Sequence, residues 1–341
     1  MITVALDVMG ADAGVGPITQ GAAQLSREDV PIRILLVGDE QQITTALDAE
    51  PHEPKRLRIV HAPSFVSMTD KPAQALDDKP HCSVLAAARL VARDEAQALV
   101  SAGNTGAVIL AASRTFERCR GVRRVALAAV YPTAERHGPH QDPFALMLDV
   151  GATVSCSADD LVAFAVMGSA YSRTISDIER PRVALLSNGS EPTKGTPAIV
   201  EAHERLRQLE AVEFIGNAEG LDIPRGTADV IVCEGFVGNI VLKMLEGVSE
   251  VAKDMARAAY GSKLRYKLGL GMLSKGIRKV RDMTDWKQYG GAPIVGFDRL
   301  VIKAHGRSNA RAVRNALKVA AKTVERDLTR EIRVGMAGPG A

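Results

Sequence analysis

The chain has 341 residues, with 43 Lys and Arg against 40 Asp and Glu, a formal net charge of +3, and only 4% aromatic residues. So mild a charge and so few stacking platforms exclude a nucleic-acid partner, and the length admits about two domains or one large α/β unit. Cys82, Cys119, Cys156 and Cys233 are scattered singly, which excludes a disulfide framework and a C-x-x-C metal or redox motif and predicts a reduced, cytosolic chain.

The first residues read directly as a strand, without a basic n-region. No apolar run approaches the roughly 18 residues of a membrane span, so neither secretion nor insertion is expected. Short β-branched runs predict strands at 2–6, 32–37, 57–60, 98–101, 125–130, 145–149, 183–187, 212–215 and 230–233. Helical periodicity marks 83–94, 105–114, 158–174 and 196–209, and continues through Ile240, Leu245 and Val248. This alternation predicts an α/β fold, a mostly parallel sheet covered by helices on both faces. Ligands of such sheets bind beyond the carboxyl ends of the strands.

Residues 118–122 and 133–143 read as surface loops, and no internal repeat occurs. One domain over 1–334 is expected, with a flexible tail at 335–341. Residues 255–281 stand apart. They carry Arg257, Lys263, Arg265, Lys267, Lys275, Arg278, Lys279 and Arg281, no acidic residue, and apolar residues between them. A helical hairpin over about 244–282 would suit an anionic membrane surface or an acidic protein, or pair subunits through Val248, Val251, Met255 and Ala259.

The loops after the strands carry the candidate chemistry. Asp7-Val8-Met9-Gly10-Ala11-Asp12 sets two carboxylates about a glycine turn, to hold a cation, take a proton, or only cap the turn. Ser101-Ala102-Gly103-Asn104-Thr105-Gly106 brings a glycine turn and an Asn/Thr cap to a helix start, which cradles an anion or simply caps the helix. Lys194 lies between a turn and a helix start, although Lys194-Gly195 is not the Gly-Lys-Ser/Thr order of a P-loop. From Cys233 to Lys243, a strand stops at Gly235 and Gly238 and delivers Asn239 and Lys243 to a helix start. The N–H groups and dipole there favour phosphate or carboxylate; the alternative is a corner with a solvated polar face. Finally, Gly290-Gly291-Ala292-Pro293 joins Lys303, His305 and Asn309, with His305 a proton carrier, a hydrogen-bond donor or a satisfied loop histidine. No G-x-G-x-x-G follows a strand, no G-x-S-x-G elbow occurs, and no His/Cys cluster has metal spacing, which disfavours hydride transfer and serine hydrolysis. A cleft with anion-holding loops and no side-chain nucleophile leaves phosphate itself as a nucleophile.

Together these segments resemble the bacterial phosphate acyltransferase family of phospholipid synthesis. The resemblance is carried by Ala5–Gly10, Ser101–Ala107, Leu148-Asp149-Val150-Gly151-Ala152, Phe214-Ile215-Gly216-Asn217, Glu234–Lys243, and 289–293 with 302–309. It implies a three-layer α/β/α fold like that of isocitrate and isopropylmalate dehydrogenases, with a protruding helical hairpin. It also implies a homodimer, peripheral attachment to the inner face of the cell membrane, and transfer of a fatty acyl group from acyl carrier protein to inorganic phosphate. The acyl phosphate would pass to a glycerol-3-phosphate acyltransferase. Two segments depart from the family pattern. Met9-Gly10-Ala11-Asp12-Ala13-Gly14-Val15 lacks a histidine and a glycine, and residues 76–83 replace a basic run.

On this resemblance, Lys194, Asn239 and Lys243 are expected to hold phosphate. Asn104 and Asn239 would stabilise the oxyanion, and His305 or Asp12 would manage the proton. Asp7, Gly103, Thr105, Gly238, Lys303 and Asn309 are expected to line the substrate site. Lys263, Arg265, Lys267, Lys275, Arg278 and Lys279 are expected to meet carrier or membrane. No metal or organic cofactor is expected. The alternatives are an acyltransferase using acyl-CoA and a non-catalytic membrane-surface scaffold.

Overall fold

The computed structural model describes residues 1–262, 272, 273, 276 and 290–337. The first half builds β1 (Ile2–Asp7), α1 (Val15–Ser26), β2 (Ile32–Gly38), α2 (Glu40–Asp48), β3 (Leu57–His61), α3 (Pro72–Asp78), α4 (Ser83–Ala92), β4 (Ala98–Ser101), α5 (Thr105–Thr115) and β5 (Ala126–Leu127). A seven-stranded sheet forms from these with β11 (Ala292–Val295) and β12 (Leu300–Lys303), in the order β3-β2-β1-β4-β12-β11-β5. It is parallel from β3 to β12, and β11 runs antiparallel to both neighbours. β4 is apolar apart from its last residue and buried throughout, as expected where helices cover both faces.

The middle of the chain forms a second sheet from β6 (Ala129–His137), β7 (Asp142–Leu148), β8 (Arg182–Leu186), β9 (Glu213–Ala218) and β10 (Val230–Val232), in the order β6-β7-β10-β8-β9. Its helices are α6 (Ala158–Ile175), α7 (Pro197–Leu206), α8 (Asp222–Arg225) and α9 (Gly235–Ser262). A capping box of Ser157 and Asp160 starts α6. Gly168 then lets α6 close on β10, since a Cβ there would lie 2.6 Å from the Val230 side chain. After β12 come α10 (Ala310–Glu325), packed on the first sheet, and α11 (Leu328–Ala337). α11 crosses to the second sheet and buries Leu328 and Ile332 in its core.

The structure corrects three sequence expectations and adds helices that were not predicted. The single strand predicted over 125–130 is divided between the sheets, because Ala128 donates its N–H to the Pro293 carbonyl at 2.9 Å, between β5 and β6. Residues 133–143, read as a loop, form much of the β6–β7 hairpin, where Thr133 and His137 are buried. The tail expected from Gly335 is helical as far as Ala337. α1, α2 and α10 are not among the predicted helices, although α10 carries a helical period through Val313, Ala316, Leu317 and Ala320. α1 contains two Gly, two Ala and a Pro in its 12 residues and starts at Gly14 without a side-chain cap.

Of the expected hairpin, α9 is described to Ser262. Lys263, Arg265, Lys267, Lys275, Arg278 and Lys279 lie outside the described residues, as does Tyr289. Along α9, Phe236, Ile240, Met244, Val248, Val251 and Met255 are all more than half exposed, at spacings of three and four that make one apolar stripe. Among the described residues no helix is long and apolar enough to cross a membrane.

Candidate active site

Three adjacent strands of the first sheet end in polar residues that share one row. Asp7 on β1 is in register with Ser101 on β4, and Ser101 with Lys303 on β12. Apolar runs carry all three strands through the core, so this row is where they emerge at their carboxyl edge. The Ser101 hydroxyl donates to Asp7 Oδ2 at 2.7 Å, and the N–H of Gly103 donates to Ser101 Oγ at 3.1 Å. Burial pushes the Asp7 carboxyl up to about 6, against hydrogen bonds from Ser83, Ser101 and the Met9 N–H and the charge of Lys303. Burial also lowers Lys303, to about 8, and Lys243 adds to the effect, while Asp7 and Asp12 oppose it. The Lys303 ammonium donates to the Ala304 carbonyl. A buried lysine so close to neutral pH is a group whose charge the site can use or release.

The second sheet faces this row through α9. Its helix start is fixed by Asp149, fully buried at the end of β7, which accepts hydrogen bonds from the N–H groups of Leu127, Gly151, Ala152 and Thr153 at 2.6–3.0 Å. Thr153 in turn accepts from the Gly235 N–H at 2.8 Å. The helix packs so tightly here that a Cβ on Gly238 would fall 1.9 Å from the Asp149 carbonyl oxygen. Asn239 follows, with its amide against Gly151, whose φ of +133° is open only to glycine. One turn on, Lys243 pairs with Glu246 at 2.7 Å.

Lys303, His305, Gly306, Asp12 and Thr105 from one sheet and Gly151, Asn239, Lys243 and Glu246 from the other line one cavity of about 540 Å³. His305 is half-buried. Desolvation lowers its pKa, as do the cations of Lys243, Lys303 and Arg307, so the ring is neutral at neutral pH. Its Nδ1 accepts the Arg307 N–H at 3.2 Å, which puts the proton of the neutral ring on Nε2 as a donor. The arrangement can hold an anion between two ammonium groups and offer neutral donors, Asn239 and His305, to a developing oxyanion.

The structure thus brings Asp12, Thr105, Asn239, Lys243, Lys303 and His305 to one cavity, with Asp7 and Gly103 directly behind it. It places four other predicted residues differently. Asn104 caps α5, accepting from the Ala107 N–H, and its amide donates to the Met68 carbonyl at 3.2 Å, so both ends serve the local fold. Asn309 is exposed and caps α10 by accepting from the Ala312 N–H. Gly238 lies inside α9 rather than in a turn before it, so Asn239 and Lys243 stand one and two turns beyond the helix start. Lys194 is exposed in the loop after β8 and does not line the cavity. Sequence reasoning missed Ser101, Asp149 and Gly151 as individual residues, while Glu246 falls on one helical face with Asn239 and Lys243 by its spacing in the sequence. The signal for Asp149 was an acidic residue at a strand end followed by Val150-Gly151. Among the described residues no group of three His, Cys, Asp or Glu side chains could hold a metal ion.

Residues 2–331 match the family model described as fatty acid synthesis protein. The chain is 38% identical over 334 residues to a phosphate acyltransferase of Dictyoglomus turgidum, covering 98% of this chain and 97% of that one. It is 40% identical over 336 residues to one of Heliobacterium modesticaldum, covering 98% of each. Among solved structures it is similar to a phosphotransacetylase of Streptococcus pyogenes, with a TM-score of 0.64 at 15% identity over 95% of this chain and 94% of that one. A 4-hydroxythreonine-4-phosphate dehydrogenase of Salmonella typhimurium shares the fold at a TM-score of 0.53 and 17% identity, covering 94% of this chain and 99% of that one.

Proposed function

The chain belongs to the phosphate acyltransferase family, and we propose that it transfers a fatty acyl group from acyl carrier protein to inorganic phosphate. The observation that carries this reading is the convergence of Lys303, Lys243, Asn239 and His305 from two sheets on one cavity. Phosphate sits between the two ammonium groups. One of its oxygens attacks the thioester carbonyl, a C–O bond forms, and the C–S bond breaks. Asn239 and the Nε2–H of His305 donate to the carbonyl oxygen while it carries charge. The phosphopantetheine thiolate leaves and takes the proton released by phosphate. Asp7 keeps Lys303 protonated, and Asp12 bears on the same lysine from the cavity rim. Lys194, on the loop after β8 at the same edge of the second sheet, supplies a cation to the incoming donor.

The product, an acyl phosphate, is a substrate for a glycerol-3-phosphate acyltransferase in phospholipid synthesis. The exposed stripe of α9 suits pairing with a second copy, and the basic residues after it suit an acidic carrier and an anionic inner membrane surface. On this reading the protein is cytoplasmic and peripherally attached. The alternative donor is acyl-CoA, which the same test distinguishes.

The test is phosphate-dependent thiol release from long-chain acyl–acyl carrier protein, with the product trapped as hydroxamate. Trapped acyl phosphate, lost in Asn239→Ala and lowered in Lys194→Ala, is the expected result. No release from either the carrier or the CoA thioester by folded protein would reject acyl transfer and favour a scaffold.

A further inference from the structure

The cavity does not end at the polar cluster. From Asn239 and Lys303 it continues between the two sheets, where its walls become apolar: Val130 at the crossing, Phe144 on β7, Ile175 at the end of α6, Pro293 on β11 and Val319 on α10. Small residues, Ala128, Ala129, Ala145 and Ala292, keep this limb open. Its far end is rimmed by polar groups that reach solvent, Lys322 being exposed. Lys322 donates to the Ile175 carbonyl at 3.0 Å, and Arg326 donates to the Thr174 carbonyl at 2.7 Å and pairs with Asp177. Asp142, whose carboxyl burial raises, lines the same end beside Lys322. An inorganic phosphate and a thioester carbonyl need none of this apolar wall. A substrate with a hydrocarbon tail does, because the tail leaves water for it.

We propose that this limb holds the hydrocarbon chain of the acyl donor. The carbonyl lies at Asn239 and Lys303, the methyl end points toward Ile175 and Val319, and the Asp142–Lys322 rim sets the longest chain admitted. This rests on the acyl-transfer reading and assigns it a chain-length determinant. A chain too long for the limb must push its methyl end past the Asp142–Lys322 rim toward charge and water, so affinity rises with each methylene and then stops.

The test compares butyryl, octanoyl and palmitoyl thioesters of the carrier on the wild type and on Val319→Trp and Ile175→Trp, which fill the limb from two different helices. Each buried methylene carries about a fourfold factor in affinity, so an indole that displaces two or three lowers the palmitoyl-to-butyryl ratio of kcat/KM about 16- to 60-fold. If the wild type turns over all three donors and both variants keep its ratio, the limb is not the chain site, while acyl transfer stands. If the wild type releases thiol from none of them, acyl transfer itself falls, and the limb assignment with it. Should the variants not fold, a palmitoyl donor carrying a diazirine at its methyl end is photolysed on the wild type. Label on residues 142–146, 171–178 or 319–323 supports the assignment, and label only elsewhere overturns it.

Discussion

Asp7 and Asp229 are both buried, each near a basic side chain, yet the first is pushed up to about 6 and the second is held down at about 2. Burial raises both. At Asp229 it is overcome by His137 Nδ1 at 2.6 Å and by the backbone N–H and guanidinium of Arg182 at 2.7–3.2 Å. Thr133, His137 and Asp229 look like a nucleophile, base and acid in line, but the Thr133 hydroxyl donates to the Glu135 carbonyl. The strands account for the difference. Asp229 precedes β10 and ties the amino end of the second sheet together with its partners saturated, although it borders the cavity, whereas Asp7 closes β1 at the carboxyl edge, in the row that leads through Ser101 to Lys303. Saturated partners make a structural carboxylate, and under-compensated burial makes a poised one.

The largest effect expected is on turnover. Lys303→Met keeps the shape of the row and removes its charge, so kcat/KM for phosphate should fall about 10²–10³-fold with the melting temperature nearly unchanged. A large loss of stability instead would place Lys303 with Asp229 as a structural group. Next, Asp229→Asn should cost about 2–3 kcal/mol in urea unfolding, because the donors of His137 and Arg182 lose a buried anion. Asp7→Asn should be neutral or stabilising at pH 7, since it removes a carboxylate that burial disfavours.

The two carboxylates also respond oppositely to pH. The raised pKa of Asp7 gives stability that is full below its ordinary value of 3.8 and is lost as pH rises through about 6. The lowered pKa of Asp229 gives stability that is full above 3.8 and is lost as pH falls through about 2. For activity, kcat/KM should decline as pH rises through about 8 and Lys303 loses its proton. Because the Asp7 charge supports that proton, Asp7→Asn should move the decline to lower pH. An unmoved profile would separate Asp7 from the site.

Strand runs and their carboxyl-end loops were legible because apolar periodicity and glycine turns are local. Asp12, Asn239, Lys243, Lys303 and His305 were found that way. The division of 125–130 between two sheets was not legible, since the Ala128 to Pro293 hydrogen bond joins residues far apart in sequence. Nor was the apolar limb, whose walls come from β6, β7, α6, β11 and α10 and share no motif. Asn104, Asn239 and Asn309 read alike in the sequence, each near the start of a helix. Only the fold distinguishes a cap from a side chain left to meet a ligand.

That distinction gives the smallest effect and the finest test. The Asn309 side chain accepts from the Ala312 N–H at 3.0 Å and satisfies one of the N–H groups left open at the start of α10. Removing it should cost about 1 kcal/mol of stability, the usual loss for a helix cap. Because Asn309 is exposed and outside the cavity, Asn309→Ala should leave the KM for phosphate where it is, and Asn309→Ser should recover most of the stability by capping again. A raised KM that serine does not restore would mean that the side chain reaches the anion after all, and that the edge of the site extends past His305 into the start of α10.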